Sequence, residues 1–202
     1  ICLTGTLILD GGRADDPKWT IYIHGAFTTL ASSMAKFSPG TVGTVHWVVT
    51  GAVTIGANSQ MVGSITTDAV MTVAAGDKTH PSFTFGRDTT FTICGALTFA
   101  AGSYMTKVAE VEPLRRTLVS SGVAPSTGAK VNWVVTGAIV LGAGSIAVGD
   151  MESTHEAITL GASAVTGNLK ASGAITVGAS ATTGTLNGLA AVAYKHLTLP
   201  NK

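Results

Sequence analysis

Short apolar and polar alternations run along most of the chain. In Ala52-Val-Thr-Ile-Gly, Val53 and Ile55 point one way while Ala52 and Thr54 point the other, which is the two-residue period of a half-buried strand. Glycine and small residues follow at once, where the chain must turn. A strand of about five residues, a glycine corner and a return predict one lap of a β-solenoid. Helical periodicity is nearly absent. The exception is Pro113 to Ser121, with Glu110 and Glu112 before it and Gly122 after it, which predicts one short helix.

The unit repeats. Ile158-Thr-Leu-Gly-Ala-Ser-Ala-Val-Thr-Gly-Asn-Leu169 returns as Ile175-Thr-Val-Gly-Ala-Ser-Ala-Thr-Thr-Gly-Thr-Leu186, 17 positions on. Gly137-Ala-Ile-Val-Leu-Gly-Ala143 is a looser copy, and Val53-Thr-Ile-Gly-Ala57 is followed by Met71-Thr-Val-Ala-Ala75. Laps of 17 to 19 residues are therefore expected. No lap can bury its own apolar face, so laps stack and share a core. A longer duplication lies above this one. Val45-His-Trp-Val-Val-Thr-Gly-Ala52 recurs as Val131-Asn-Trp-Val-Val-Thr-Gly-Ala138, and Thr20-Ile-Tyr-Ile-His-Gly-Ala-Phe27 recurs as Thr90-Phe-Thr-Ile-Cys-Gly-Ala-Leu97. The offsets are 86 and 70, so residues were added between the halves, in Lys107 to Lys130. The expected organisation is a single all-β solenoid domain over 1–202, with related halves at about 1–86 and 87–190 and a strand-like tail at 191–202.

Aligned laps place a threonine column outward: Ile8, Thr28, Thr54, Thr72, Thr98, Val140, Thr159 and Thr176. Two residues earlier stand Ala26, Ala52, Val70, Ala96, Ala138, Ala157 and Ala174. Stacked in register, these columns would make a flat, uncharged face with rungs about 4.7–4.9 Å apart. Threonine also favours strands and alanine is small, so such columns can arise without function. The spatial order of the laps is left open by the sequence.

Composition narrows the class. Apolar residues make up 46% and charged residues 11%, with 30 Thr and 25 Gly. The chain is too apolar and too weakly charged for intrinsic disorder. Net charge +1 without a basic stripe argues against a nucleic-acid binder. Glycine has no every-third-residue period, so collagen is excluded. Two cysteines, Cys2 and Cys94, are too few for a disulfide scaffold, and whether they pair is left open. The apolar runs stop well short of the roughly 20 residues of a membrane helix. The chain starts at Ile1 with no signal-peptide pattern, which reads as a processed product or fragment. Low charge and scarce lysine suggest a secreted or cell-surface protein.

Catalytic and metal patterns are thin. The histidines are His24, His46, His80, His155 and His196, and none has a His or Cys partner at i+2 or i+4, so no metal site is expected. Arg13 and Asp15-Asp16 read as a solvated loop. Glu152, His155 and Glu156 lie close enough for acid–base work but read as one charged inter-lap turn. Gly142-Ala-Gly144 lacks a phosphate-loop lysine. Trp19, Trp47 and Trp133 read as core or corner packing rather than sugar platforms. No catalytic residue and no cofactor are expected.

Some segments resemble a known family. Gly5-Thr-Leu-Ile-Leu-Asp-Gly-Gly12, Trp19-Thr-Ile-Tyr-Ile-His-Gly-Ala-Phe27, Val45-His-Trp-Val-Val-Thr-Gly-Ala-Val-Thr-Ile-Gly-Ala57 and Met61-Val-Gly-Ser-Ile65 occur in the order of the ice-binding-protein-like β-solenoid domain of microbes. The resemblance covers roughly 3–76 and recurs more loosely in 90–186. It implies a secreted discontinuous β-solenoid beside a long helix, binding ice through a flat threonine-rich face or adhering within a surface protein. The family's N-terminal strands and long helix have no counterpart in these residues, and its ice-binding face has no strict residue code. Two roles are therefore expected. The first is a non-enzymatic extracellular structural subunit that joins copies of itself end to end through strands at about 3–9 and 191–199, giving a filament or surface layer. The alternative is ice binding through Thr28, Thr54, Thr72, Thr98, Thr159 and Thr176 with Ala26, Ala52, Ala96, Ala138 and Ala174. Neither role needs nucleic acid or a membrane span.

Overall fold

A computed structural model of the chain describes residues 1–12, 14, 16–76, 83–85, 88–107 and 130–193. Among them every regular element is a strand. The chain opens with β1 (Cys2–Leu3) and β2 (Thr6–Leu9), then winds through β3 (Lys18–Ile23), β4 (Phe27–Thr29) and β5 (Met34–Phe37). The next laps are β6 (Thr44–Val49) with β7 (Val53–Ile55), then β8 (Ser64–Thr67), β9 (Met71–Val73) and β10 (Phe83–Phe85). Beyond these come β11 (Thr89–Ile93), β12 (Leu97–Phe99) and β13 (Met105–Lys107), then β14 (Val131–Val135) with β15 (Ile139–Leu141) and β16 (Asp150–Ser153) with β17 (Ile158–Leu160). The last laps are β18 (Leu169–Val177) and β19 (Leu186–Ala193), each long enough to turn the corner between two faces.

Among the described residues all the strand pairs are parallel, and they stack as three faces of a β-solenoid. The first face is β3-β6-β8-β11-β14-β16, continued by the front parts of β18 and β19. The second is β1-β4-β7-β9-β12-β15-β17, continued by their rear parts. The third face is sparser. It holds β2 with β5, β10 with β13, and single bridges that link Tyr104, Ile146, Val165 and Thr182 in turn. Laps follow one another in space in the order of the sequence, with no crossover between them. This differs from the discontinuous winding that the family resemblance implied.

The 17–19-residue lap is the short form of the coil. Val53 pairs with Met71, Ile139 with Ile158, and Ile158 with Ile175. Elsewhere Phe27 pairs with Val53 and Met71 with Leu97, 26 positions on, because the chain takes a longer path across the third face. The longest step, Leu97 to Ile139, places the added residues between β13 and β14, as the unequal repeat offsets indicated. The helix expected at Pro113 to Ser121 lies outside the described residues. So do Arg13, Asp15, His80, His196 and the tail from 194 onward.

One expectation needs correction. Leu3 to Leu9 is not one strand, since Gly5 separates β1 on the second face from β2 on the third. Ile8 therefore leaves the threonine column and pairs with Lys36. Its place at the head of the column is taken by Cys2, which pairs with Thr28. The question left open by the sequence, a disulfide between Cys2 and Cys94, is answered in the negative. Both thiols are free and exposed. Cys2 stands four rungs of about 4.8 Å from Thr98 along the second face, and Cys94 lies beside that fourth rung, far beyond the ~7 Å Cα limit of a disulfide.

The core runs down the axis and is built from inward residues of successive rungs. Val53, Ile55, Met71, Val73, Leu97, Phe99, Ile139 and Ile158 are each fully buried, and each contributes on the order of 1.5–3 kcal/mol. The two halves repeat in detail. Trp47 and Trp133 occupy the same station, and each indole N–H donates to the carbonyl of the residue 15 places on, Val62 or Val148, at 2.9 Å. Trp47 stacks on Phe27 (5.3 Å) and Trp133 on Phe91 (3.8 Å). Both are core residues as expected, whereas Trp19 is half-buried against Phe37. At the corner between the first two faces the backbones of neighbouring laps touch. A Cβ on Gly51 would lie 2.6 Å from the Gly25 carbonyl carbon, so only glycine fits there.

Candidate functional site

The second face carries the candidate site. Its outward threonine column is continuous and in register: Cys2, Thr28, Thr54, Thr72, Thr98, Val140, Thr159 and Thr176 pair in turn. Eight rungs at about 4.8 Å give a column about 34 Å long. The inward neighbours on either side of each threonine are buried, so the strand cannot rotate and the hydroxyls keep one orientation.

The alanine column stands beside it. The carbonyls of Ala52, Val70, Ala96, Ala138 and Ala157 accept the amides of Phe27, Val53, Met71, Leu97 and Ile139 from the neighbouring lap. The N-terminal amine of Ile1 donates to Ala26, and Ala174 continues the column in β18. Thus the structure brings together Ala26, Ala52, Ala96, Ala138 and Ala174 with Thr28, Thr54, Thr72, Thr98, Thr159 and Thr176. None of the stretches 26–30, 52–56, 70–74, 96–100, 138–142, 157–161 and 174–178 holds an Asp, Glu, Lys, Arg or His. Apolar side chains project at Leu30, Val70 and Val140.

One component escaped the sequence reading. Past each threonine strand the chain turns through a second column of alanines: Ala31, Ala57, Ala75, Ala101, Ala143, Ala162 and Ala179. Their carbonyls accept bonds from the preceding lap, as in Ser32 N–H to Ala57, Gly102 N–H to Ala143 and Ser163 N–H to Ala179. The next residue is left-handed at Ser32, Asn58, Gly102, Gly144, Ser163 and Ser180, a conformation open chiefly to Gly and small polar residues. A buried serine follows at Ser33, Ser59, Ser103 and Ser145, whereas Ala164 stands at that place in a later lap. The signal was present as Leu30-Ala-Ser-Ser33, Gly56-Ala-Asn-Ser59, Gly142-Ala-Gly-Ser145 and Gly161-Ala-Ser-Ala164. It reads as turn chemistry until the stacking shows that the turns form a straight edge of the threonine face.

Among the described residues the charged and titratable groups do not converge. Glu152 is not part of an inter-lap turn. It lies outward on β16, one rung from Lys170, and the two form an exposed ion pair at 2.7 Å. His155 and Glu156 follow in the turn, where His155 Nδ1 shares a 2.8 Å hydrogen bond with Thr154 Oγ1. His46 Nε2 shares one with Thr66 Oγ1 at 2.8 Å on the first face, and His24 is exposed. Among the described residues, no group of three His, Cys, Asp or Glu side chains could hold a metal ion, and no helix is long and apolar enough to cross a membrane. The face can therefore offer hydroxyls, methyls and bare backbone in a fixed lattice, and little acid–base chemistry. Comparison of the chain with family models, with curated proteins and with solved structures found no match.

Proposed function

We propose that the protein binds ice, without catalysis, through its second face. The observation that carries this reading is the register of the alanine and threonine columns over seven rungs of a sheet face without charged side chains. Ice presents no charge and no pocket, only a repeating lattice of weak hydrogen-bonding sites. A surface that meets it must offer many small contacts at fixed spacing and lose little entropy on docking. Parallel ladders fix the backbone, and β-branched threonine is stiff at χ1, so much of the ordering cost is met on folding rather than on binding. The segment-by-segment resemblance to the ice-binding-like solenoids points the same way, and the reading carries with it an extracellular location. The test is ice-crystal shaping and thermal hysteresis of the purified protein. The protein is expected to shape crystals, and Thr159→Tyr is expected to weaken this while circular dichroism stays unchanged. A wild-type protein that leaves crystal growth untouched up to its solubility limit refutes the proposal.

A second reading, end-to-end association of copies into a filament or surface layer, draws on a different observation. Among the described residues strand β3 has a single neighbour, β6, and the core residues Leu3, Leu7, Trp19 and Ile21 at that end are only partly buried. Strand β19, Leu186–Ala193, has β18 as its neighbour at the other end. A parallel head-to-tail contact between such ends would not close. Long particles in electron microscopy support this role, and a monomer by sedimentation at high concentration removes it.

A further inference from the structure

From Thr28 onward, exposure along the threonine column follows the residue two places on, while Cys2 on the terminal rung is exposed with Thr4 two places on. Thr54, Val140, Thr159 and Thr176 are exposed, and Gly56, Gly142, Gly161 and Gly178 follow them. Thr28, Thr72 and Thr98 are half-buried, and Leu30, Ala74 and Ala100 follow them. The residue two places on stands just past each strand's last residue, at the edge of the face, where a side chain covers part of the threonine and a glycine leaves it open. The glycines answer to lap stacking. A Cβ on Gly142, Gly161 or Gly178 would lie 2.5–2.7 Å from backbone atoms of the preceding lap. Three open rungs in succession, at Val140, Thr159 and Thr176, pair directly with one another. Towards β1 the open rung at Thr54 stands alone between shielded ones.

We propose that ice contact is made by the consecutive rungs at Val140, Thr159 and Thr176, and that the glycines beside them select this stretch over the rest of the column. This rests on the ice-binding reading and locates its footprint. Contact over neighbouring rungs adds up within one rigid patch, whereas Thr54 is separated from the next open rung by Thr72 and Thr98.

The experiment compares tyrosine substitutions at Thr159 and Thr176 with the same substitutions at Thr28 and Thr98, reading thermal hysteresis against concentration. The first pair should need about tenfold more protein for equal hysteresis, the loss that ~1.4 kcal/mol of binding free energy gives. The second pair should stay near wild type. A folding-independent arm attaches a bulky maleimide to already folded Thr159→Cys or Thr98→Cys in a Cys2→Ser, Cys94→Ser background, with the same ranking expected. Equal losses at all four positions, or greater loss at Thr28 and Thr98, overturn the footprint and leave ice binding by the whole face intact. No loss at any position with an active wild type, or an inert wild type, overturns the footprint and the face together.

Discussion

Removal of the Trp133 side chain tests whether the stacked core is built as described. Trp133 is 1% exposed. Its ring lies 3.8 Å from Phe91 at 7° and 5.3 Å from Phe99 at 80°, one stacked contact and one edge contact. Truncation of a buried Trp to Ala costs about 3–5 kcal/mol in transfer and cavity terms. Each aromatic pair adds about 0.5–1.5 kcal/mol beyond its area, and the Val148 carbonyl loses a donor at 2.9 Å, about 1 kcal/mol more. These terms overlap, so about 4–6 kcal/mol is expected for Trp133→Ala. That is a large share of the ~5–15 kcal/mol that holds an ordinary domain together. Trp133→Phe keeps one ring in place and should cost about 1–3 kcal/mol, the range for a lost hydrogen bond with partial repacking. Urea unfolding followed by fluorescence of the remaining tryptophans and by circular dichroism measures both. Trp47→Ala should behave alike. The two stations are three rungs apart, about 14 Å, so the losses should add within ~0.5 kcal/mol. A Trp133→Ala protein that unfolds within ~1 kcal/mol of wild type would refute the shared axial core.

Other outcomes follow from the same geometry. Gly95→Val should destabilise by roughly 1–3 kcal/mol, because its Cβ would meet the Ala69 carbonyl carbon and the Val70 nitrogen at 2.7 Å. A thermal midpoint equal to wild type would count against the tight corner. Lys170→Ala should change stability by less than ~1 kcal/mol, since the Lys170 and Glu152 side chains are 61% and 38% exposed. A larger loss in a denaturant titration would mean that the pair is held more tightly than its exposure implies. Both Cys2 and Cys94 should react with an aromatic disulfide reagent in the native protein, because both are free and exposed. Recovery of fewer than two thiols per chain without denaturant would contradict this.

Much of the fold was legible because a solenoid writes its geometry locally. The alternation in Ala52-Val-Thr-Ile-Gly names the inward residues, and Val53 and Ile55 are indeed fully buried. The near-identical units at Ile158 and Ile175 show the lap length, and the structure pairs those two residues directly. Errors arose where a local pattern was ambiguous. Ile8 has the right alternation for the threonine column, yet Gly5 turns the chain before it, and nothing near Ile8 tells second face from third. Glu152 sits close to His155 in sequence, but an outward strand position separates it from the turn and gives it Lys170, 18 residues away.

The sequence by itself determined the strand period, the inward and outward sets, the repeat and the two tryptophan stations, because each depends on residues within one lap. Tertiary structure alone decided the succession of laps, the departure of Cys2 from Cys94, the second alanine column and the difference between open and shielded threonines. Those features depend on which backbone lies a rung away. Contact across a rung joins residues 16 to 42 positions apart, and the number of residues spent on the third face, which sets that distance, leaves no mark on the strands it brings together.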